Sequence, residues 1–172
     1  MTAPQPGCSP DVPVLAGPAE PVPVPPSHHG HPLADRWPLR TSLALGPLTS
    51  AVPCARAHAQ LVLREWGFTV LNEDAGLVVS ELISNAVEAS RRLPPPPPPV
   101  RLWLVSDSTR VLIVAGDASP RPPLRMDPGL DADSGRGLRL VEAFSARWGW
   151  YPTDGGGTGK AVWAELRTPA GA

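Results

Sequence analysis

The chain has 172 residues, 25 of them proline, and 15 basic against 16 acidic residues leave a formal net charge of −1. That balance gives no electrostatic pull toward nucleic acid or an anionic membrane, and no run of about 18 apolar residues exists to form a membrane-spanning helix. Two cysteines, Cys8 and Cys54, are too few for a disulfide framework or a four-ligand zinc site, so a reducing, cytoplasmic compartment is expected.

Residues 1–37 read as a disordered tail. Ten prolines fall in it, with Val-Pro alternation at Val22-Pro23-Val24-Pro25-Pro26, which favours polyproline II over helix or sheet. It lacks the basic start and continuous apolar stretch of a secretory signal. His28, His29 and His31 have no acid or cysteine close by to complete a metal site and read as a polar turn.

The folded domain is expected over residues 38–168, with a C-terminal tail at 169–172. About 130 residues bury roughly two-thirds of their unfolded surface, enough for an independent core. Residues 40–45 alternate as a first strand, ended by Gly46-Pro47. Ser50 opens a helix running to Trp66, with an apolar stripe of Val52, Ala55, Ala59, Val62 and Trp66 and a stop at Gly67. His58 lies on this helix as a partly exposed residue.

Asn72 is expected to cap a second helix, whose first turn carries Glu73 and Asp74 and whose last carries Arg91 and Arg92, matching the helix dipole. Its apolar face is Ala75, Val78, Val79, Leu82, Ala86 and Val87. Six prolines, Pro94 to Pro99, then form a stiff loop, about 19 Å long as full polyproline II.

Val100–Val105 and Val111–Val114 read as two strands joined by a hairpin turn. Residues 118–134 form a long loop of the kind that is commonly a functional lid or disordered. A third helix is expected over Gly137–Arg147, a short strand over Trp148–Tyr151, a turn at Gly155-Gly156-Gly157, and a last strand over Lys160–Leu166. Clustered strands with helices between them give an α+β fold: a mixed, largely antiparallel sheet with helices on one face.

Three groups of residues carry chemistry. Glu81 and Asn85 are four apart and share one face of a helix that is otherwise apolar around them. A carboxylate and an amide there are costly unless paired or liganded. The amide oxygen of Asn85 suits a hard cation such as Mg²⁺, and the Glu81 carboxylate can orient or deprotonate a nucleophile. The same pair also fits a solvated helix edge. Asp117 ends an apolar strand, where it can accept a hydrogen bond from an exocyclic amine or simply initiate a turn. Ser134-Gly135-Arg136-Gly137-Leu138 opens the third helix, where glycines let backbone N–H groups approach a phosphate, or act as a loop hinge.

Taken in order, Glu-x-x-x-Asn on a helix, Asp at a strand end, a long loop and Gly-Arg-Gly-Leu opening a helix resemble the GHKL ATPase superfamily. Val79-Ser80-Glu81-Leu82-Ile83-Ser84-Asn85-Ala86-Val87 is similar to its N box. Arg147-Trp148-Gly149-Trp150 and Gly159-Lys160-Ala161-Val162-Trp163-Ala164-Glu165-Leu166 resemble the small anti-sigma-factor serine kinases and their actinobacterial-type relatives. The resemblance covers residues 38–167. It implies a Bergerat fold, a histidine kinase-like ATPase α/β sandwich. It also implies ATP and Mg²⁺ as cofactors, with Asn85 on the metal, Glu81 as general base and Asp117 on the adenine amine. Gly135, Arg136, Gly137 and Leu138 would then lie at the phosphates, and residues 118–134 would be the ATP lid.

Two positions depart from the family pattern. Asp117 is followed by Ala-Ser-Pro-Arg where the family has Asp-x-Gly-x-Gly. Ala161 lies nearest in register to a threonine that many members carry in the last strand.

The implied activity is transfer of the ATP γ-phosphate to a serine of a partner protein by a soluble kinase. The implied partners are a sigma factor and an anti-sigma-factor antagonist, with no nucleic acid or membrane contact, and a homodimer is compatible with the resemblance. A full histidine kinase is not expected, for want of a membrane segment, a dimerising hairpin and a suitably placed histidine. The alternative reading is a non-catalytic module that binds nucleotide or sequesters a sigma factor.

Overall fold

A computed structural model of the protein describes residues 37–123, 137–153 and 159–168. The expectations for the Pro-rich tail, for most of the long loop, for Gly135 and Arg136, and for the Gly155–Gly157 turn lie outside the described residues.

In chain order the elements are β1 (Leu39–Leu45), α1 (Ala51–Glu65), a 3-10 turn (Thr69–Leu71), α2 (Asn72–Arg91), β2 (Val100–Ser106), β3 (Arg110–Asp117), α3 (Gly137–Phe144), β4 (Arg147–Pro152) and β5 (Lys160–Arg167). The strands form one five-stranded sheet in the order β1-β2-β3-β5-β4, and each neighbouring pair is antiparallel. The fold is therefore α+β, as expected from the order of elements.

Strand side chains alternate between two faces. Leu102 and Leu104 of β2, Val111, Ile113 and Ala115 of β3, and Val162, Ala164 and Leu166 of β5 point to one face. There they join the apolar stripes of α1 (Ala55, Ala59, Val62, Leu63) and α2 (Ala75, Val78, Val79, Leu82, Ile83, Ala86). Trp37, Val105, Leu112, Val114 and Ala161 form a smaller cluster on the other face, flanked by Trp103, Tyr151 and Trp163. The helices thus cover one face, and aromatic rings shield much of the second.

The β2–β3 hairpin turns on Asp107. Its Oδ1 accepts hydrogen bonds from Thr109 N at 3.0 Å and Arg110 N at 3.0 Å, while Ser108 takes φ 72°. Burial opposes ionisation of Asp107, but the hydrogen bonds from Thr109 and Arg110 prevail and lower its pKa to about 2. Gly67, with φ 82°, ends α1 in the left-handed region that glycine adopts freely.

Four local expectations are corrected. Trp37, placed in the tail, is 6% exposed and belongs to the outer-face cluster, with the Arg110 guanidinium 5.2 Å from its ring centre. Asn72 does not cap α2, because the 3-10 turn feeds straight into the helix and Leu71 already has helical dihedrals. The Asn72 Oδ1 is buried without a hydrogen-bond partner among the described residues, as is Nε2 of the half-buried His58. Ser50 likewise makes no side-chain cap bond to α1. The third helix stops at Phe144, not Arg147. Ala146 N donates to Glu165 O at 2.8 Å and the Arg147 guanidinium reaches the Glu165 carboxylate at 2.6 Å, which draws this stretch into β4.

Candidate functional site

Helix α2 crosses the covered face of the sheet and packs on β2, β3 and β5. Its last turn is tied down by Ser90 Oγ, which donates to the carbonyl of Pro98, just before β2 begins. Because Arg101 pairs with Gly116, this is also the end of the sheet at which β3 delivers Asp117. The Pro94–Pro99 run therefore brings the chain from the helix end to the strand start.

Glu81 and Asn85 lie one helical turn apart on α2, both half-buried, with Val78, Leu82, Ile83 and Ala86 beside them in the core. The start of α3 lands on this pair. A Cβ added to Gly137 would lie 2.5 Å from Glu81 Oε2 and 3.5 Å from Asn85 Nδ2. A side chain at Gly137 would shift the Glu81 carboxylate, so glycine lets the start of α3 approach it as it stands. Three residues up to 56 positions apart in the chain, Glu81, Asn85 and Gly137, thus meet at one place. The first-turn N–H groups of α3 have no partners within the helix and carry the positive end of its dipole.

Among the described residues no side chain pairs with the Glu81 carboxylate, and burial raises its pKa above the ordinary value. A half-buried, unpaired carboxylate poised to take a proton is a frequent mark of a reactive site. Leu138 is 4% exposed and its side chain anchors α3 in the core. What it can offer a ligand is its backbone N–H.

Asp117 continues the phase of Val111, Ile113 and Ala115, so its side chain turns to the helix-covered face. Directly opposite it in register is Lys160, which starts the inward phase of β5. The Lys160 ammonium donates to Asp117 Oδ1 at 2.9 Å, and Ser119 N donates to the same oxygen at 2.8 Å. Both side chains are buried. Burial raises the Asp117 pKa, and the bonds from Lys160 and Ser119 offset that only in part. Of the two roles open to it in the sequence, Asp117 fills that of closing a turn, and its carboxylate lies buried against Lys160 at the strand end.

Ala161, nearest in register to the family threonine, pairs with Gly116 and faces the outer side. The neighbour of Asp117 on the inner face is Lys160, a residue to which the resemblance assigns no role. Its signal was present, since a lysine occupies the apolar phase of Lys160-x-Val162-x-Ala164-x-Leu166.

An open groove of about 260 Å³ borders Asp117, Gly159 and Lys160 but is walled by Arg101, Trp103 and Thr153 on the other side of the sheet. It does not include Glu81, Asn85 or Gly137. On that same outer side Glu165 is 1% exposed beneath Arg147 and Arg167, each at 2.6 Å, and Arg110 at 3.4 Å. Burial opposes its ionisation, but Arg147 and Arg167 outweigh burial and lower its pKa. This cluster ties β3, β4 and β5 together.

Among the described residues no group of three or more His, Cys, Asp or Glu side chains gathers to hold a metal alone. A hard cation here would take few protein ligands and complete its shell with ligand and water oxygens, as Mg²⁺ commonly does. Among these residues, too, no helix is long and apolar enough to cross a membrane.

No known family model matches the chain, and no curated protein matches it. Among solved structures it is similar to the crystal structure of the RsbU and RsbW domains of Rv1364c from Mycobacterium tuberculosis. That likeness has 17% sequence identity and a TM-score of 0.51, and it covers 75% of this chain. The chain spans 32% of the length of that two-domain structure, and with part of it this protein shares its fold.

Proposed function

We propose that this protein is an ATP-binding serine/threonine kinase of the anti-sigma-factor type, acting on a serine of a partner regulatory protein. The observation that carries this reading is the contact of Gly137 with Glu81 and Asn85. It unites the acid, the amide and the glycine that the family resemblance assigns to one site.

The residues present fit Mg-ATP. Asn85 offers an amide oxygen of the hard kind that Mg²⁺ accepts, and the glycine-opened start of α3 offers unpaired N–H groups to phosphate. Asp117 offers an acceptor for the base. When bound, Mg-ATP would supply the transferable phosphoryl group and neutralise charge on it. Glu81 would take the proton of the attacking serine hydroxyl, since no side chain among the described residues competes for its carboxylate. Gly135 and Arg136, beside Gly137 in sequence, complete the proposed phosphate contact. The partners proposed are a sigma factor and its antagonist, in the cytoplasm.

A second reading, a module that binds a sigma factor without catalysis, draws on Ser119. This residue stands where the resemblance calls for the first glycine after Asp117, and it is 4% exposed. Labelled ATP, the co-purified partner, and parent and Glu81→Gln protein separate the two. The kinase reading expects label on the partner with the parent, and a loss of about 10² or more with Glu81→Gln while ATP still binds. No label on the partner despite ATP binding by the parent would favour the non-catalytic module.

A further inference from the structure

We infer that the Pro-rich stretch at residues 21–26 of this same chain docks on the outer face of the sheet, across Trp103 and Trp163. Among the described residues, this face draws its buried side chains from the strands and Trp37, with none from a helix. Cross-strand register puts Trp103, Val114 and Trp163 in one row. The Trp103 ring rests on Gly116 and the Trp163 ring on Gly149, where an added Cβ would come within 2.8 and 3.0 Å of them. Both tryptophans are only half-buried, so each ring lies against the sheet and keeps surface toward solvent. Beside Trp103 runs the open groove, bordered by Pro99 and Arg101.

Position, chemistry and charge select the occupant. Trp37 is buried in the same cluster as Val105 and Leu112, so residues 1–36 reach the fold from this side. From Val105 to Arg101 is about 13 Å along β2, and six residues of polyproline II span about 19 Å. The ten residues between this stretch and Trp37 reach up to roughly 33 Å, enough to lay it along the strands in either direction. Residues 21–26 read Pro-Val-Pro-Val-Pro-Pro. Four of the six have no backbone N–H to strand on burial, and Pro-rich segments of this kind pack into grooves lined by aromatic rings. Residues 1–35 contain Asp11, Glu20 and Asp35 and no Lys or Arg. The outer face exposes Arg40, Arg101, Arg147 and Arg167, while Glu165, the one acid among its strand residues, is buried. The same charges oppose a second copy of this face, which would set arginine against arginine.

The test is hydroxyl-radical footprinting of the full chain without nucleotide, read at each tryptophan. The parent is compared with a variant carrying Val22→Gly, Pro23→Gly, Val24→Gly, Pro25→Gly and Pro26→Gly together, with thermal melts to confirm folding. Oxidation of Trp103 and Trp163 should speed up about threefold or more in the variant, once the rings are uncovered. Trp148, on the inner face, should react at the same rate in both proteins. Protection in the parent should persist on dilution, since both parties belong to one chain. Equal rates at Trp103 and Trp163 in parent and variant would overturn the inference. Protection that disappears on dilution, with a dimer seen by sedimentation, would assign the face to a second copy and overturn it too. Should the glycine variant fail to fold, photo-cross-linking from Val24→p-benzoylphenylalanine decides. Cross-links to β2 or β5 within the monomer are expected, and cross-links only to other parts of the fold, or none, would contradict the docking.

Discussion

Glu81 is held at a cost to the fold. Its carboxylate is raised in pKa by burial, so the native state binds this proton more tightly than the unfolded chain does. Stability therefore falls as pH rises from the ordinary glutamate range through the raised native value, and it stays lowered above that. Glu81→Gln removes the charge. It is expected to melt at a higher temperature than the parent at pH 7, with the difference fading at pH values below the ordinary glutamate range. Paired thermal melts across pH check this, and an unchanged or lower melting temperature at pH 7 would contradict it. Gly137 makes a complementary case. The atom that an added Cβ would strike is Glu81 Oε2, the far end of a flexible side chain, so Gly137→Ala should cost no more than about 1 kcal/mol of stability. Under the proposed kinase reading its effect on transfer should be large, because the proposed base, Glu81, is pushed from its place. A loss of about tenfold or more in partner labelling, with a nearly unchanged melt, is the expected pattern.

Among the elements, β5 carries the most constraint, because its two phases hold opposite charges to account on opposite faces. Lys160 meets Asp117 on the inner face, and Glu165 gathers Arg110, Arg147 and Arg167 on the outer one. Glu165→Gln keeps the size of the side chain but leaves three guanidiniums with a weaker acceptor. It should cost about 1–3 kcal/mol, seen as a drop of several degrees in melting temperature. The parent draws this stability above the ordinary carboxylate range and loses it as pH falls through the lowered native value, so the gap between variant and parent should close in acid. The same cluster explains why α3 ends early. An apolar stripe of Leu138, Val141 and Phe144 announces the helix, but only the distant Glu165 fixes where Arg147 leaves it. The start of α2 escaped the sequence for a similar reason. Asn72 has the chemistry of a cap, yet the 3-10 turn before it already supplies helical backbone.

For the molecule as a whole, alternation and helical periodicity were enough to reveal a sheet with helices on one face. The order of strands and helices could be read because Gly, Pro or a polar turn such as 106–110 bounds most of the apolar runs. The meeting of Glu81 and Asn85 was also legible, being a matter of spacing on one helix. Gly137 joined them only through motif order, and Lys160 stands out in the sequence as a lysine in the apolar phase of its strand, while its pairing with Asp117 lies in cross-strand register, which sequence does not display. Trp37 was hidden likewise, since its place on the outer face depends on Arg110 and on strands far along the chain. The central claim is that Asn85, Glu81 and Gly137 form a Mg-nucleotide site, and calorimetry of Mg-ATP binding to the parent and to Asn85→Ala tests it most directly. The account predicts Mg²⁺-dependent binding by the parent and its loss in Asn85→Ala, with the melting temperature of the variant close to that of the parent. Equal affinity of the two proteins for ATP in the presence of Mg²⁺ would contradict it.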